Sequence, residues 1–233
     1  MIKSFLITIS FSILLHSSQQ IILVVSDDFI SPKAQLECYE GSESLCGTID
    51  VNIGKNGLGW GLGIQNLHQN QGEPLKYEGD KKAPVGVFNL TDIYGYSKTH
   101  DFNMPYLHTS KNLICVDDSN SPFYNQVIES NGDEKSFENM KRSDHQYELG
   151  IMVAHNSEAI EKRGSCIFLH VKKKKDAPTA GCTSMNLEEI KMITSWLDQS
   201  KNPILIQIPK SSSKEILKLY PHLKDSKLLR EED

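Results

Sequence analysis

The chain carries little that would mark a common function at sight. Its formal net charge of −5 leaves no general attraction for a nucleic-acid backbone. Its five cysteines include no Cys-x-x-Cys pair and no His/Cys cluster with zinc-site spacing. A glycine-dense stretch, Gly54-Lys-Asn-Gly-Leu-Gly-Trp-Gly-Leu-Gly63, lacks the Lys-Ser/Thr ending of a phosphate-binding loop, and no clean helix follows it. It reads instead as a loop needing positive φ or close backbone approach. No internal repeat, linker or second domain interrupts 233 residues, enough for one domain with a real core. The longest apolar run, Phe5 to Leu15, is too short for a comfortable membrane span. Behind Lys3 and ahead of Ser17-Ser18-Gln19 it reads as a signal peptide over residues 1–18. The competing readings are an uncleaved anchor and a first buried strand. The expected location is therefore secreted, extracellular or periplasmic, with no stable membrane span after cleavage.

In a secreted chain an odd cysteine count suggests pairs plus one free thiol. Cys38 and Cys46 flank a turn-rich stretch and can close a hairpin loop. Cys115 and Cys166 either pair or stay reduced as small buried residues. Apolar β-branched runs predict strands at 21–25, 49–53, 147–155, 165–170 and 203–208, and a turn leading into a strand over 80–90. Residues 136–142 read as a short helix. A longer helix is expected over 186–199, with Asn186 and Glu189 forming a capping box and Leu187, Ile190, Ile193 and Leu197 on one face. Residues 214–220 suit a helical turn or two, and 224–233 a loosely held end to a charged tail over 210–233. The fold class expected is mainly β, with one main helix after the last cysteine.

The chemistry gathers around that cysteine. Gly164-Ser-Cys-Ile-Phe-Leu-His170 ends an apolar strand in a histidine, and Pro178-Thr-Ala-Gly-Cys182 follows the lysine run 172–175. A thiol nucleophile needs a base nearby and backbone N–H groups for the oxyanion. His170 is the candidate base and Cys182 the candidate nucleophile. The amides of Gly181, Cys182 and Thr183 are candidate oxyanion donors. No acidic residue is obvious as the imidazole's orienter, so the Val171 carbonyl is the candidate. A nearby imidazole, lysines and the start of the helix would each favour the thiolate. The lysine run is otherwise a solvated loop, or a basic rim for an acidic substrate.

These segments together resemble an L,D-transpeptidase catalytic domain of the YkuD superfamily, in the branch whose motif reads Thr-Ala-Gly-Cys. The resemblance covers residues 21–209 and includes Lys82-Ala-Pro-Val-Gly-Val-Phe88, Met104-Pro-Tyr106, Val116-Asp-Asp-Ser-Asn-Ser-Pro-Phe-Tyr-Asn125 and Val153-Ala-His-Asn156. It implies a β-sandwich-like domain of mixed sheets with the cysteine in a crevice. It also implies a cysteine acyltransferase for peptidoglycan stem peptides. Cys182 would attack the third-residue carbonyl of a tetrapeptide donor, expel the terminal D-alanine, and pass the acyl group to a neighbouring amine as a 3→3 cross-link. No metal or organic cofactor is implied.

Two positions depart from the better-known motif: Ala180 stands where that motif has His, and Ser184 where it has Arg. The first leaves the matching base, His170, in place. The second removes a cation that would position the stem, a role open to His155-Asn156 or the lysine loop. His155 reads equally as a hydrogen-bonded structural histidine; Tyr147 is a weaker candidate for the same role, with core packing the favoured reading. An L,D-carboxypeptidase using the same thioester, and a non-catalytic wall-binding module, are the alternative functions.

Overall fold

The computed structural model describes residues 19–230, so the expected signal peptide at 1–18 lies outside the described residues. The chain opens with β1 (Gln20–Ser26), β2 (Lys33–Glu40), the short β3 (Glu43–Ser44), β4 (Ile49–Asn52) and β5 (Leu58–Trp60). The long β6 (Ala83–Gly95) follows, then β7 (Tyr106–His108), β8 (Leu113–Val116), β9 (Val127–Glu129) and β10 (Phe137–Asn139). The remainder comprises β11 (Leu149–Val153), β12 (Phe168–Val171), β13 (Thr183–Met185), α1 (Leu187–Trp196), β14 (Ile204–Pro209) and α2 (Ser213–Leu219).

Eight strands close into a barrel in the order β1-β14-β6-β11-β12-β13-β4-β2, because β2 folds back onto β1 from Gln20↔Glu40 to Val25↔Gln35. The sheet is mixed, with β1–β14 and β12–β13 parallel. The mainly β expectation holds at this level, but the sandwich-like arrangement is corrected to a barrel. Closure pairs the backbone edges that an open sheet would expose. Main-core side chains come from every strand of the ring, including Ile22, Leu36, Val51, Val87, Ile151, Leu169, Met185 and Ile206. One polar pair lies buried among them and is satisfied: Thr183 Oγ1 donates to Gln207 Oε1 at 2.6 Å, and Gln207 Nε2 donates to the Pro84 carbonyl at 2.8 Å.

α1 packs against β11 and β12, and its last turn is tied to β1 and β2. Gln20 Nε2 donates to the Trp196 carbonyl at 2.9 Å, and Trp196 Nε1 to Glu40 at 3.2 Å. The helix begins as its sequence predicts, with the Asn186 N–H donating to Glu189 at 2.7 Å. Ile190, Ile193 and Leu197 are buried and Leu187 is half-buried.

Three expectations are corrected. Residues 136–142 form no helix: Phe137–Asn139 is β10, paired antiparallel with Val116 to Ile114 of β8 in a separate sheet ordered β10-β8-β9. So short a segment cannot sustain a helix alone, and pairing decides its conformation. The glycine-dense loop contains a strand, β5, parallel to the start of β6. The close-approach reading does hold at Gly57, where φ is +73° and an added Cβ would sit 2.1 Å from the Phe29 carbonyl oxygen. The described part of the C-terminal tail is not loosely held. Leu223, Leu228 and Leu229 join the main core, and Ser226 Oγ donates to buried Glu37 at 2.7 Å.

Ile190→Ala is expected to cost about 2–5 kcal/mol in urea unfolding, because it leaves a cavity where α1 meets the barrel. Leu187→Ala, at the half-buried end of the same face, is expected to cost clearly less. Equal costs would contradict this placement of α1.

Candidate active site

Side chains on β12 alternate between two clusters. Leu169 points into the barrel, while Phe168 joins an outer cluster with Tyr94, Tyr147, Cys115, Cys166 and Cys182. Parallel pairing sets Leu169 opposite Thr183 and His170 opposite Ser184. Cys182, one residue before β13, therefore comes level with Phe168, and the Phe168 N–H donates to its sulfur at 3.4 Å. The Cys182 thiol donates in turn to the Cys166 carbonyl at 3.5 Å. Among the described residues Cys182 is the free cysteine. Both pairings left open by the sequence are made, Cys38–Cys46 and Cys115–Cys166.

Cys182 and His170 line one cleft of about 410 Å³. His170 Nδ1 lies 2.8 Å from the Val171 carbonyl oxygen, which can only accept. In the neutral ring Nδ1 therefore carries the hydrogen and Nε2 keeps a lone pair. The Tyr147 ring stands edge-on to the imidazole at 5.2 Å. Both groups rest neutral. Burial pushes the Cys182 thiol up to about 12, reinforced by the nearby Glu138 charge and opposed by the Phe168 N–H and Lys76. Burial likewise holds His170 down to about 4, against the pull of the Val171 carbonyl. The sequence-based expectation of an enriched thiolate is thus corrected, because desolvation outweighs the local cations. The helix start does not help either. Three residues of β13 intervene, about 10 Å of extended chain, beyond the reach of the helix dipole.

The other predicted residues divide clearly. Gly181 and Ala180 line the cleft beside Cys182. Gly181 has φ +152°, and its N–H donates to Thr179 Oγ1 at 3.1 Å, so that amide is already engaged. Thr183 faces the barrel through its bond to Gln207. Ser184 is buried, with Oγ 3.5 Å from the Asn52 carbonyl, and does not line the cleft. His155 and Asn156 also lie outside it, and their polar atoms are spent on structure. His155 Nδ1 accepts from the Leu62 N–H at 3.3 Å and Nε2 sits 2.9 Å from the Arg163 carbonyl. Asn156 donates to the Ile160 and Gly164 carbonyls at 3.0 Å and accepts from the Ile160 N–H at 2.9 Å. Ser184, His155 and Asn156 thus lie apart from the cleft that holds Cys182 and His170, and His155 has the hydrogen bonds of a structural histidine. Of the lysine run, Lys173 alone reaches this cleft.

Several cleft residues come from segments that the motif did not flag. Lys76 is buried and pairs with Asp80 at 2.6 Å. Glu78 accepts from Tyr124 and Ser165, each at 2.6 Å. Glu138 and Tyr147 bond each other at 2.5 Å. Arg142 lies over the Tyr147 ring at 5.1 Å and forms a two-pronged pair with Asp144. The cleft therefore presents both signs of charge next to the thiol. Apart from Tyr147, a weaker candidate read first as core packing, nothing in the local sequence marks these residues.

Among the described residues no group of three His, Cys, Asp or Glu side chains is arranged to hold a metal ion, and no helix is long and apolar enough to cross a membrane. Comparison with family models, with curated proteins and with solved structures finds no match.

His155 and His170 both stay neutral in the fold down to about pH 4. The unfolded chain binds a proton at each near pH 6.5. Proton uptake on unfolding makes stability fall as pH drops through this window, by roughly 3 kcal/mol per histidine. Urea unfolding followed from about pH 7 to about pH 4.5 should show the decline. A flat profile would mean that the two rings are hydrated.

Proposed function

We propose that the chain is a cysteine acyltransferase acting on peptidoglycan stem peptides, an L,D-transpeptidase of the YkuD type. The observation that carries this reading is the shared cleft. A free thiol and a histidine whose Nδ1 is fixed by a backbone carbonyl open onto one hollow lined by both signs of charge. Such a hollow suits a substrate carrying amines and carboxylates together. The two disulfides are compatible with a secreted protein.

The neutral resting pair sets the order of proton transfers. Substrate enters with the carbonyl of its third residue over the Cys182 sulfur. As the sulfur attacks, the thiol proton passes to His170 Nε2, so that charge separates only when the new bond begins to form. The carbonyl oxygen becomes an oxyanion, stabilised by N–H groups around the cysteine and by the cations Lys76 and Arg142. Collapse breaks the peptide bond, and the departing D-alanine nitrogen takes the proton from His170. The thioester is then attacked by an acceptor amine. His170 removes the amine proton and returns it to the sulfur as the cysteine leaves.

Incubation of the chain with tetrapeptide muropeptides, read by mass spectrometry, tests the proposal. Cross-linked dimers are expected. Tripeptide monomers alone would make the protein a hydrolase with the same site. No product, and no adduct on Cys182 with a carbapenem or a thiol electrophile, would leave a wall-binding module. His170→Ala should lower turnover by about two to four orders of magnitude with the fold retained. Near-wild-type turnover would remove His170 from the mechanism.

A further inference from the structure

We propose that Asp117 receives a side-chain ammonium of the substrate, carried by the residue whose carbonyl Cys182 attacks. The proposal rests on the acyltransferase reading for the placing of that carbonyl. It adds a specificity contact: the donor's third residue carries a side-chain amine.

The segment 116–125 belongs to the motif read from the sequence, and most of its polar side chains are spent on structure. Asp118 accepts from the Asn120 N–H at 3.0 Å, and Tyr124 donates to Glu78 at 2.6 Å. Asn125 accepts from the Cys166 N–H at 2.9 Å and donates to the His155 and Asn156 carbonyls at 2.8 and 3.0 Å. Asp117 differs. It lines the cleft that holds Cys182 and His170, yet its Oδ1 is buried with no hydrogen-bond partner in the protein. Among the described residues its carboxylate makes no ion pair. A buried carboxylate oxygen left unmatched is costly, and a cationic ligand offsets that cost.

The backbone sets where Asp117 stands. Its N–H donates to the Ser136 carbonyl at 3.3 Å, which continues the pairing of β8 with β10. Alternation then places Asp117 on the face of Cys115, two residues earlier, and Cys115 belongs to the cluster around Cys182. Two residues of strand span about 7 Å. A side chain of lysine length covers a similar distance from a peptide seated over the sulfur. The other charges of the cleft are matched within the protein. Lys76 is held by Asp80 and Arg142 by Asp144, so neither cation neutralises Asp117. Glu78 accepts from Tyr124 and Ser165, and Glu138 from Tyr147. A divalent metal ion needs several oxygen ligands, and among the described residues no group of three His, Cys, Asp or Glu side chains is arranged for one. A single organic ammonium, with three N–H donors of its own, fits the lone carboxylate.

The test is a binding measurement on the full chain carrying Cys182→Ala, which prevents acyl transfer. Two synthetic stem tetrapeptides are titrated by calorimetry, one with lysine in the third position and one with norleucine, a methyl in place of the ammonium. The lysine peptide should bind about tenfold to a hundredfold more tightly. Adding Asp117→Asn should bring the two affinities together by weakening the lysine peptide alone. A structural role for Asp117 would instead weaken both peptides equally. Equal affinities before that change, a preference that survives it, or no binding of either peptide overturns the proposal. Asp117→Ala is read in the same way if the asparagine variant fails to fold. Turnover of the lysine peptide by the wild type judges the acyltransferase reading separately. Discrimination without products would sink the reaction and not the contact; products without discrimination would sink the contact and not the reaction.

Discussion

The parallel pairing of β12 with β13 is the constraint on which the site depends. It sets Leu169 against Thr183 and His170 against Ser184. Side chains alternate along a strand, so one register decides which residues enter the barrel and which face the cleft. Leu169, Thr183 and Met185 face inward; His170 and Cys182 share the outer side. A slip of one residue would carry the histidine into the apolar interior and bring the thiol out of line with it. Two polar contacts oppose such a slip: the bond from Thr183 to Gln207 inside the barrel, and the bond from the Phe168 N–H to the Cys182 sulfur outside it. The lysine-rich segment between the strands is the crossover that a parallel pair requires.

Burial governs the chemistry of this pair more than any single neighbour does. Both groups lose water, and each is driven to its uncharged form, the thiol upward and the imidazole downward. A protonated thiol is slow to react with oxidants as well as with substrate. The arrangement therefore protects a free cysteine that shares its cluster with the disulfide-bonded Cys115 and Cys166. Under the proposed acyltransferase reading, reactivity comes with the arrival of substrate, which brings a carbonyl for the sulfur to attack and excludes water from the ions that form.

The sequence made the strands legible wherever apolar residues ran in short β-branched blocks, as at residues 21–25 and 203–208. The capped helix was legible because Asn186 and Glu189 carry a local signal that tertiary contacts do not alter. The motif around Cys182 was legible as chemistry, but its electrostatics were not. Counting nearby lysines and a helix start suggested an activated thiolate, yet burial depends on what covers the sulfur, and that cover comes from distant segments. Glu138 illustrates the limit. It lies in a stretch whose local pattern resembles a helix, and only its pairing with β8 turns it towards the thiol. His155 errs in the opposite direction. A histidine at a strand end looks available until both ring nitrogens are traced to the Leu62 N–H and the Arg163 carbonyl.

The cover itself is assembled by tethers between the small sheet and the barrel. The Cys115–Cys166 bond joins β8 to the turn just before β12 across 51 positions of sequence. In the chain-entropy account a loop of that length withdraws about 4 kcal/mol of freedom from the unfolded chain. Cys166 adopts φ +54°, a left-handed conformation unusual for a residue with a side chain. The same residue is held by its N–H bond to Asn125 Oδ1 at 2.9 Å. Glu78 adds a further tie by accepting from Tyr124 on one side and Ser165 on the other. These contacts fix the backbone whose carbonyl receives the Cys182 thiol. They also bring β10, and Glu138 with it, over the sulfur. The tethers thus maintain the burial that keeps the thiol protonated, so the disulfide shapes the state of Cys182 through the fold around it.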